Sequence, residues 1–500
     1  MKKIKAIHIR RVVQLFFFLF FLALFIQARD PLSQIPPPDL LLQIDPLAAI
    51  LTMVSCRTFI TAFLPALVVI VLTFVLGRSF CGWVCPLGAT LDFWNRLMPA
   101  GLKMRGQRQW KYVMLFGTLL LALFSIQAAW LMDPLVIFTR SLSLAIYPLA
   151  IWGVNGLINT GFEIGFLEDF AYSAWNFFQG WLLPIAPLHT TLLTVTLLIF
   201  VGILLLDQFG RRFWCRVLCP LGALLGLISN VSPFGRKVTP ECPGCGTCSD
   251  NCRMAAIEEE HTRTRRSECI LCMECAVNCT VAGTTFTWRY QKKGQEKFNF
   301  GRRRLIGTLG ASVVLGAAWQ TEFQPRANQQ YLVRPPGAVE EDDFLDLCLR
   351  CEECVKACSS TGGCLQPSGT EFGWNGFWTP RARMRDGYCE FSCTLCGEVC
   401  PSGAIKALPV DLKQKKVIGL AVFEKSRCIP WEQNIECLVC EEHCPLPDKA
   451  IKFQLEEGRE KLPFVDPLLC TGCGICETKC PVIGESAIRI TSEKEQREVM

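Results

Sequence analysis

Twenty-four of the 30 cysteines fall into six runs of four, and the spacing within each run suits iron–sulfur chemistry. Cys242, Cys245, Cys248 and Cys252, then Cys269, Cys272, Cys275 and Cys279, repeat C-x2-C-x2-C-x3-C within 38 residues. Three closely spaced thiolates wrap one face of a [4Fe–4S] cube, while the fourth cysteine points away and completes the neighbouring cube. The expected sets are therefore Cys242, Cys245, Cys248 with Cys279, and Cys269, Cys272, Cys275 with Cys252. Zinc is the competing reading, but a zinc site takes four ligands as two pairs, which this rhythm does not offer. Arg253 and Thr280 stand where a proline commonly follows the fourth cysteine.

Four further runs follow: Cys348, Cys351, Cys354, Cys358; Cys389, Cys393, Cys396, Cys400; Cys428, Cys437, Cys440, Cys444; and Cys470, Cys473, Cys476, Cys480. They supply ligands for four more cubes, about six in all. The widened gaps at Cys389–Cys393 and Cys428–Cys437 read as loop insertions, and spacing alone does not say how the runs pair.

Four cysteines have a different pattern. Cys81 and Cys85, like Cys215 and Cys219, are four apart and open the repeated string C-x-x-x-C-P-L-G-A. That spacing puts both thiols of a pair on one side of a helix end. One reading gathers the four thiols at the cytoplasmic face, as a redox relay or a seventh cluster. The other leaves them as packing cysteines at a Cys-Pro helix stop. Repetition of the whole string favours the first. Cys56 and Cys364 read as structural.

The elements that must hold these residues are of two kinds. The chain is 51% hydrophobic and only 19% charged, with a mean hydropathy of +0.30, and its apolar residues concentrate before Pro240. This predicts a membrane half and a water-facing half. Lys2, Lys3, Lys5, Arg10 and Arg11 precede an apolar run, Val12 to Gln27, which reads as a first span starting in the cytoplasm. Further spans are expected at Phe59–Leu76, Tyr112–Leu131 and Thr190–Leu206. Asp45-Pro46-Leu47 and Asp133-Pro134-Leu135 precede the two cysteine strings, so helix, Asp-Pro-Leu, helix, C-x-x-x-C-P-L-G-A occurs twice. Both aspartates read as helix caps. The second copy carries an aromatic insertion, Phe138 to Leu188, expected to lie as helices on the outer membrane surface.

Arg302-Arg303-Arg304-Leu305-Ile306 opens an apolar run to Trp319 that resembles a twin-arginine signal, used for domains exported already folded. With its arginines inside, crossing there sends Glu340–Met500 outward. The alternative is a short hydrophobic linker that leaves both cysteine-rich blocks in the cytoplasm. From Glu340 onward 19 basic residues face 27 acidic ones, so that part carries about −8 and the remainder about +14. An acidic domain on a basic membrane base argues against nucleic acid as a partner. The fold expected is an α-helical membrane bundle of two repeated helix pairs plus a fifth short span, with two α+β bacterial-type ferredoxin domains. The domains are 1–239 (membrane), 240–300 (cytoplasmic dicluster), 301–320 (anchor) and 340–500 (four-cluster, periplasmic).

Residues 1–300 resemble the NapH/MauN family of membrane ferredoxins, through both C-x-x-x-C-P motifs and both runs between Cys242 and Cys279. The rest resembles the NapG/MauM family of four-cluster periplasmic ferredoxins, through its four runs and the arginine-led apolar stretch. The resemblance implies a fusion of two subunits of a quinol dehydrogenase module that feeds a periplasmic reductase or cytochrome. It also implies nested pairing of the four runs, first with fourth and second with third. Cys480 would then complete the first centre and Cys358 the fourth, with Cys444 and Cys400 exchanged between the second and third.

No C-x-x-C-H motif signals covalent haem, and of four histidines only His189 lies near a span, so paired histidine ligation of a membrane haem is not expected. A lipid-soluble quinone is the carrier that remains, with lipid and the quinone pool as partners. His189 is the candidate to accept a quinol proton; the competing reading is an ordinary interfacial residue. Two other functions fit the same residues: a maturation factor that supplies electrons to a periplasmic metalloenzyme, and electron transfer between cytoplasmic ferredoxin and the quinone pool.

Overall fold

A computed structural model describes residues 2–32, 36–101, 108–186, 188, 192–258, 260–281, 283–288, 307, 310, 329–455 and 461–499. His189 and the expected anchor Arg302–Trp319, apart from Gly307 and Gly310, lie outside them. The chain forms two compact units: Met1–Phe25, Asp39–Phe138 and Leu197–Thr321; and Ile26–Pro38, Thr139–Thr196 and Glu322–Met500.

The longer helices are α1 (Lys2–Gln27), α2 (Pro46–Ser55), α3 (Ala66–Leu76), α4 (Pro86–Leu97), α5 (Gln109–Leu123), α6 (Pro134–Ser141), α7 (Tyr147–Glu163), α8 (Glu168–Gln179), α9 (Leu193–Leu206) and α10 (Pro220–Ser229). The repeated motifs are helix starts. Asp45 Oδ1 accepts from the N–H groups of Leu47 (2.9 Å) and Ala48 (3.4 Å), and Asp133 Oδ1 from those of Leu135 (2.8 Å) and Val136 (3.1 Å). Each aspartate satisfies donors that the first turn leaves unpaired, and the proline after it lacks an N–H where none is needed. Cys85-Pro86 and Cys219-Pro220 open α4 and α10 in the same way, with Gly222 N donating to Cys219 Sγ at 3.2 Å.

In the first unit α2, α3, α5 and α10 pack on one another. Their outer faces are apolar: Leu67, Val68, Val71, Leu72 and Phe74 of α3 are exposed, as are Val12, Leu15, Phe16 and Leu19 of α1. Among the described residues two helices are long and apolar enough to cross a membrane, Ala6–Gln27 and Pro134–Glu163. The first covers the stretch Val12–Gln27 read from the sequence as a span. The second begins before the expected insertion, with Phe138 inside a helix that continues to Glu163. A π turn at Leu142–Ile146 precedes Pro148 and carries the helix through it. The remaining apolar helices, including Thr61–Leu76, Gln109–Leu123 and Leu193–Phe209, are shorter. α5 stops before Leu131 because Ser125 takes a left-handed φ of 57°.

The cysteine-rich parts share one plan. In the first unit β1 (Gly235–Val238), before Cys242, pairs antiparallel with β2 (Thr284–Thr287), after Cys279. In the second unit the short pair β3 (Leu365–Pro367) and β4 (Pro380–Ala382) lies between the first two runs. Ala338, before Cys348, bridges Ile405, after Cys400. β5 (Leu420–Phe423), before Cys428, pairs with β8 (Ile488–Thr491), after Cys480. β6 (Ile451–Gln454) and β7 (Leu462–Val465) form a hairpin between those runs. The described residues of 340–499 are thus two consecutive modules of the kind formed once between Gly235 and Thr287.

Candidate metal centres

Within each module the short helix of one run packs on that of the next: Thr247–Asp250 on Glu274–Val277, Glu353–Cys358 on Leu395–Glu398, and Val439–Glu442 on Ile475–Lys479. This packing carries the fourth cysteine of a run across to its neighbour. Cys252 joins Cys269, Cys272 and Cys275 around one cavity, as expected from the spacing. Cys400 joins Cys348, Cys351 and Cys354. Cys358 joins Cys389, Cys393 and Cys396. Cys480 joins Cys428, Cys437 and Cys440. Cys444 lies beside Cys470 and Cys473, and Cys242 beside Cys248.

These sets fit a cube better than a single ion. Among the described residues no three His, Cys, Asp or Glu side chains converge closely enough to hold one metal ion, whereas zinc needs every sulfur at about 2.3 Å. Burial pushes the Cys269 and Cys348 thiols up to about 12, so a cationic centre is what would ionise them. Donors already point at sulfur: Ala256 N to Cys252 (3.2 Å), Ile405 N to Cys400 (3.4 Å) and Arg236 Nη2 to Cys248 (3.3 Å).

The loops achieve this by one repeated backbone device. In the four regularly spaced runs the residues on either side of the second cysteine have left-handed φ: Gly244 and Gly246, Leu271 and Met273, Arg350 and Glu352, Gly472 and Gly474, between 54° and 80°. Two runs use glycine there, and two hold ordinary side chains in a disfavoured region.

Cys364, read as structural, lines the cavity of the Cys358 and Cys389 set, with its Sγ 4.0 Å from Cys358 Sγ. Cys56 is partly buried, its Sγ 3.0 Å from Thr58 Oγ1. Arg253, which replaces the usual proline, pairs with Asp92 (2.7 Å), and its Nε donates to Glu274 (2.7 Å).

The structure brings Cys81, Cys85, Cys215 and Cys219 together, all buried and close enough to interact electrically. Arg212 donates to Cys81 O (2.7 Å), Gly88 O (3.0 Å) and Asp92 Oδ1 (2.8 Å). Arg78 packs on Gly222 of the other copy, so the two arginines are exchanged between repeats. The reading from spacing missed Arg78, Asp92 and Glu268. The signal for the arginines was present, since each stands three residues before the first cysteine of its string. The thiols adjoin the first cysteine-rich block: Trp83 Nε1 donates to Leu271 O (3.1 Å), Arg78 Nη1 to Ser267 O (2.7 Å), and Lys111 Nζ to Glu268 (2.6 Å). Gly82 lies against Ile270, next to Cys269.

Residues 58–105 and 188–239 match the same family of 4Fe-4S binding domain, each with one C-x-x-x-C-P string, and residues 463–482 match another 4Fe-4S binding domain. The ferredoxin-type protein NapG of Escherichia coli K12 is 34% identical over 204 residues, 38% of this chain and 85% of NapG. The methylamine utilization ferredoxin-type protein MauM of Methylorubrum extorquens is 38% identical over 164 residues, 32% of this chain and 71% of its own. The chain belongs to the NapG/MauM family of ferredoxins. MauM of Paracoccus denitrificans is 32% identical over 167 residues, again 32% of this chain, and 70% of its own. No solved structure matches the chain. NapG/MauM-type identity makes this an iron–sulfur electron-transfer protein. The nested pairing inferred from the NapG/MauM resemblance is corrected: the first run exchanges its fourth cysteine with the second, and the third with the fourth, because those are the runs whose helices touch.

Proposed function

We propose that this NapG/MauM-type chain, fused to a NapH-like membrane half, is a membrane-bound electron carrier. It oxidises quinol at the outer face of the bilayer and delivers electrons to a partner protein outside. One observation carries the reading. The helix Glu353–Cys358, which bears Cys354 and Cys358, rests on residues at the end of the first apolar run and on the aromatic insertion. Lys356 Nζ donates to Ile26 O (3.1 Å) and Ala28 O (2.8 Å), Asp30 N to Ser360 Oγ (3.1 Å), and Ala186 N to Ser359 O (3.1 Å). The Arg140 guanidinium stacks 3.9 Å over the Trp378 ring. A cysteine set held against an aromatic surface suits a donor that travels in the bilayer.

The residues that would hold clusters are the five sets above together with Cys242, Cys245 and Cys248, which Cys279 would complete. A [4Fe–4S] centre, when bound, takes up one electron at a time. The protein's part is to fix the thiolates, exclude water and donate hydrogen bonds to sulfur, which shifts potential. The four repeat thiols, next to a Gly82 that lies against Ile270, favour a second branch, in which electrons also pass through the Cys269 set on the cytoplasmic side.

The test is anaerobic purification with bound lipid, an iron count, and cluster spectra before and after quinol. About 24 irons per chain with quinol-induced bleaching is expected, about 28 if the repeat thiols hold a seventh cube. Full iron content with no bleaching by any quinol would overturn the proposal.

A further inference from the structure

A [4Fe–4S] cube takes one cysteine on each of its irons, four in all, yet five thiols line the cavity of the Cys358 set. Cys358, Cys389, Cys393 and Cys396 fill the four places. Cys364 is surplus, and the backbone fixes it where it stands. Arg383 N donates to Cys364 O (2.8 Å), Gly363 N to Cys358 O (3.0 Å) and Tyr388 N to Gly362 O (3.0 Å). A Cβ on Gly362 would collide with Tyr388 O, so the loop from Cys358 to Cys364 lies against the second run. The Cys364 side chain is buried, with its Sγ 4.0 Å from Cys358 Sγ.

A cation stands at the same set. Lys413 is buried and donates from Nζ to Glu390 O, with Nζ 5.8 Å from the centroid of the Phe391 ring; both partners lie between Cys389 and Cys393. Its charge acts on the sulfurs of Cys389, Cys393 and Cys396.

We infer that Cys364 and Lys413 are positioning residues that raise the reduction potential of the centre held by Cys358, Cys389, Cys393 and Cys396, and so fit it to take electrons from quinol. The second half rests on the quinol-oxidising function proposed above; the first does not. Cys358 gives up its proton to bind iron, so the Cys364 S–H is the donor of the sulfur pair. Each electron taken up adds one negative charge to the cube and its sulfurs. A donor on the Cys358 sulfur and an ammonium beside Cys389 both favour that charge, which raises the potential. One quinol loses two electrons, accepted singly by the centres, and two protons, which pass to water, and leaves as quinone.

The test is an anaerobic redox titration of the full chain in lipid with dithionite, followed by electron paramagnetic resonance; the centre concerned is the one whose signal Cys358→Ser alters. Cys364→Ala and Lys413→Gln are each expected to lower its potential by about 59 mV, tenfold in the one-electron reduction equilibrium. Iron content and the other centres should stay unchanged, and Lys413→Arg should restore the potential. An unmoved potential in either variant, or the same shift in every centre, would overturn the inference. Loss of iron in Cys364→Ala would make Cys364 a ligand and not a donor, and would overturn it too. At a fixed ratio of quinol to quinone, the reduced fraction of this centre should fall in both variants; a fraction equal to that of the unmutated protein would show that quinol does not feed it. The expected shifts in a protein that no quinol bleaches would leave the raised potential standing and overturn the proposed function instead.

Discussion

Gly472 and Gly474 show what the cysteine loops demand of single residues. Both have left-handed φ, and a Cβ on Gly472 would run into the backbone of Gly419. Met273 holds the position of Gly474 in another run, at φ 62° with a side chain in place, a strain worth about 1–3 kcal/mol. Gly472→Ala should therefore cost at least about 1–2 kcal/mol and loosen that module's centre, whereas Met273→Gly should leave stability unchanged or raise it. Thermal unfolding with iron retention as the readout checks both; equal losses in the two variants would contradict the shared loop geometry. The cysteines themselves were legible because their spacing is the chemistry. Asp92 was not, because its role depends on Arg10, Arg212 and Arg253, drawn from three distant parts of the chain. These cations hold its carboxyl well below the usual range despite burial, and a buried carboxylate so paired is costly to neutralise.

At the level of elements, pairing of the runs depends on which short helices meet, and spacing carries no record of that. Cys358 lies with Cys389, Cys393 and Cys396, and Cys400 with Cys348, Cys351 and Cys354. Cys358→Ser should alter the spectrum and potential of one centre in the first module of the 340–500 region, and Cys400→Ser those of the other. Neither should disturb the two centres of the Cys428–Cys480 module. Electron paramagnetic resonance of partly reduced samples distinguishes them, and a change in the Cys470 centre on Cys358→Ser would restore the nested pairing. The helix starts at Asp45-Pro46, Asp133-Pro134, Cys85-Pro86 and Cys219-Pro220 were readable because caps are local. Helix lengths were less so: Ser125 ends α5 early, and the π turn before Pro148 lets one helix run from Pro134 to Glu163. Both outcomes depend on backbone adjustments that hydropathy does not register.

For the whole molecule, Lys356, Ser359 and Ser360 tie the first module of the 340–500 region to the end of the first apolar run and to the aromatic insertion. The proposal that this block works at an outer membrane face rests on these contacts. Composition and the repeat made an apolar half and a cysteine-rich half legible. They could not show that the insertion packs on the Cys358 helix, since that contact joins segments about two hundred residues apart. The central claim, that lipid-borne quinol supplies electrons to a block outside the membrane, has one direct test. Intact spheroplasts containing the chain are given quinol and a membrane-impermeant electron acceptor under anaerobic conditions. The account predicts acceptor reduction without lysis, and its loss in the Cys358→Ser variant. Reduction that begins only after lysis, or that persists unchanged in Cys358→Ser, would contradict it.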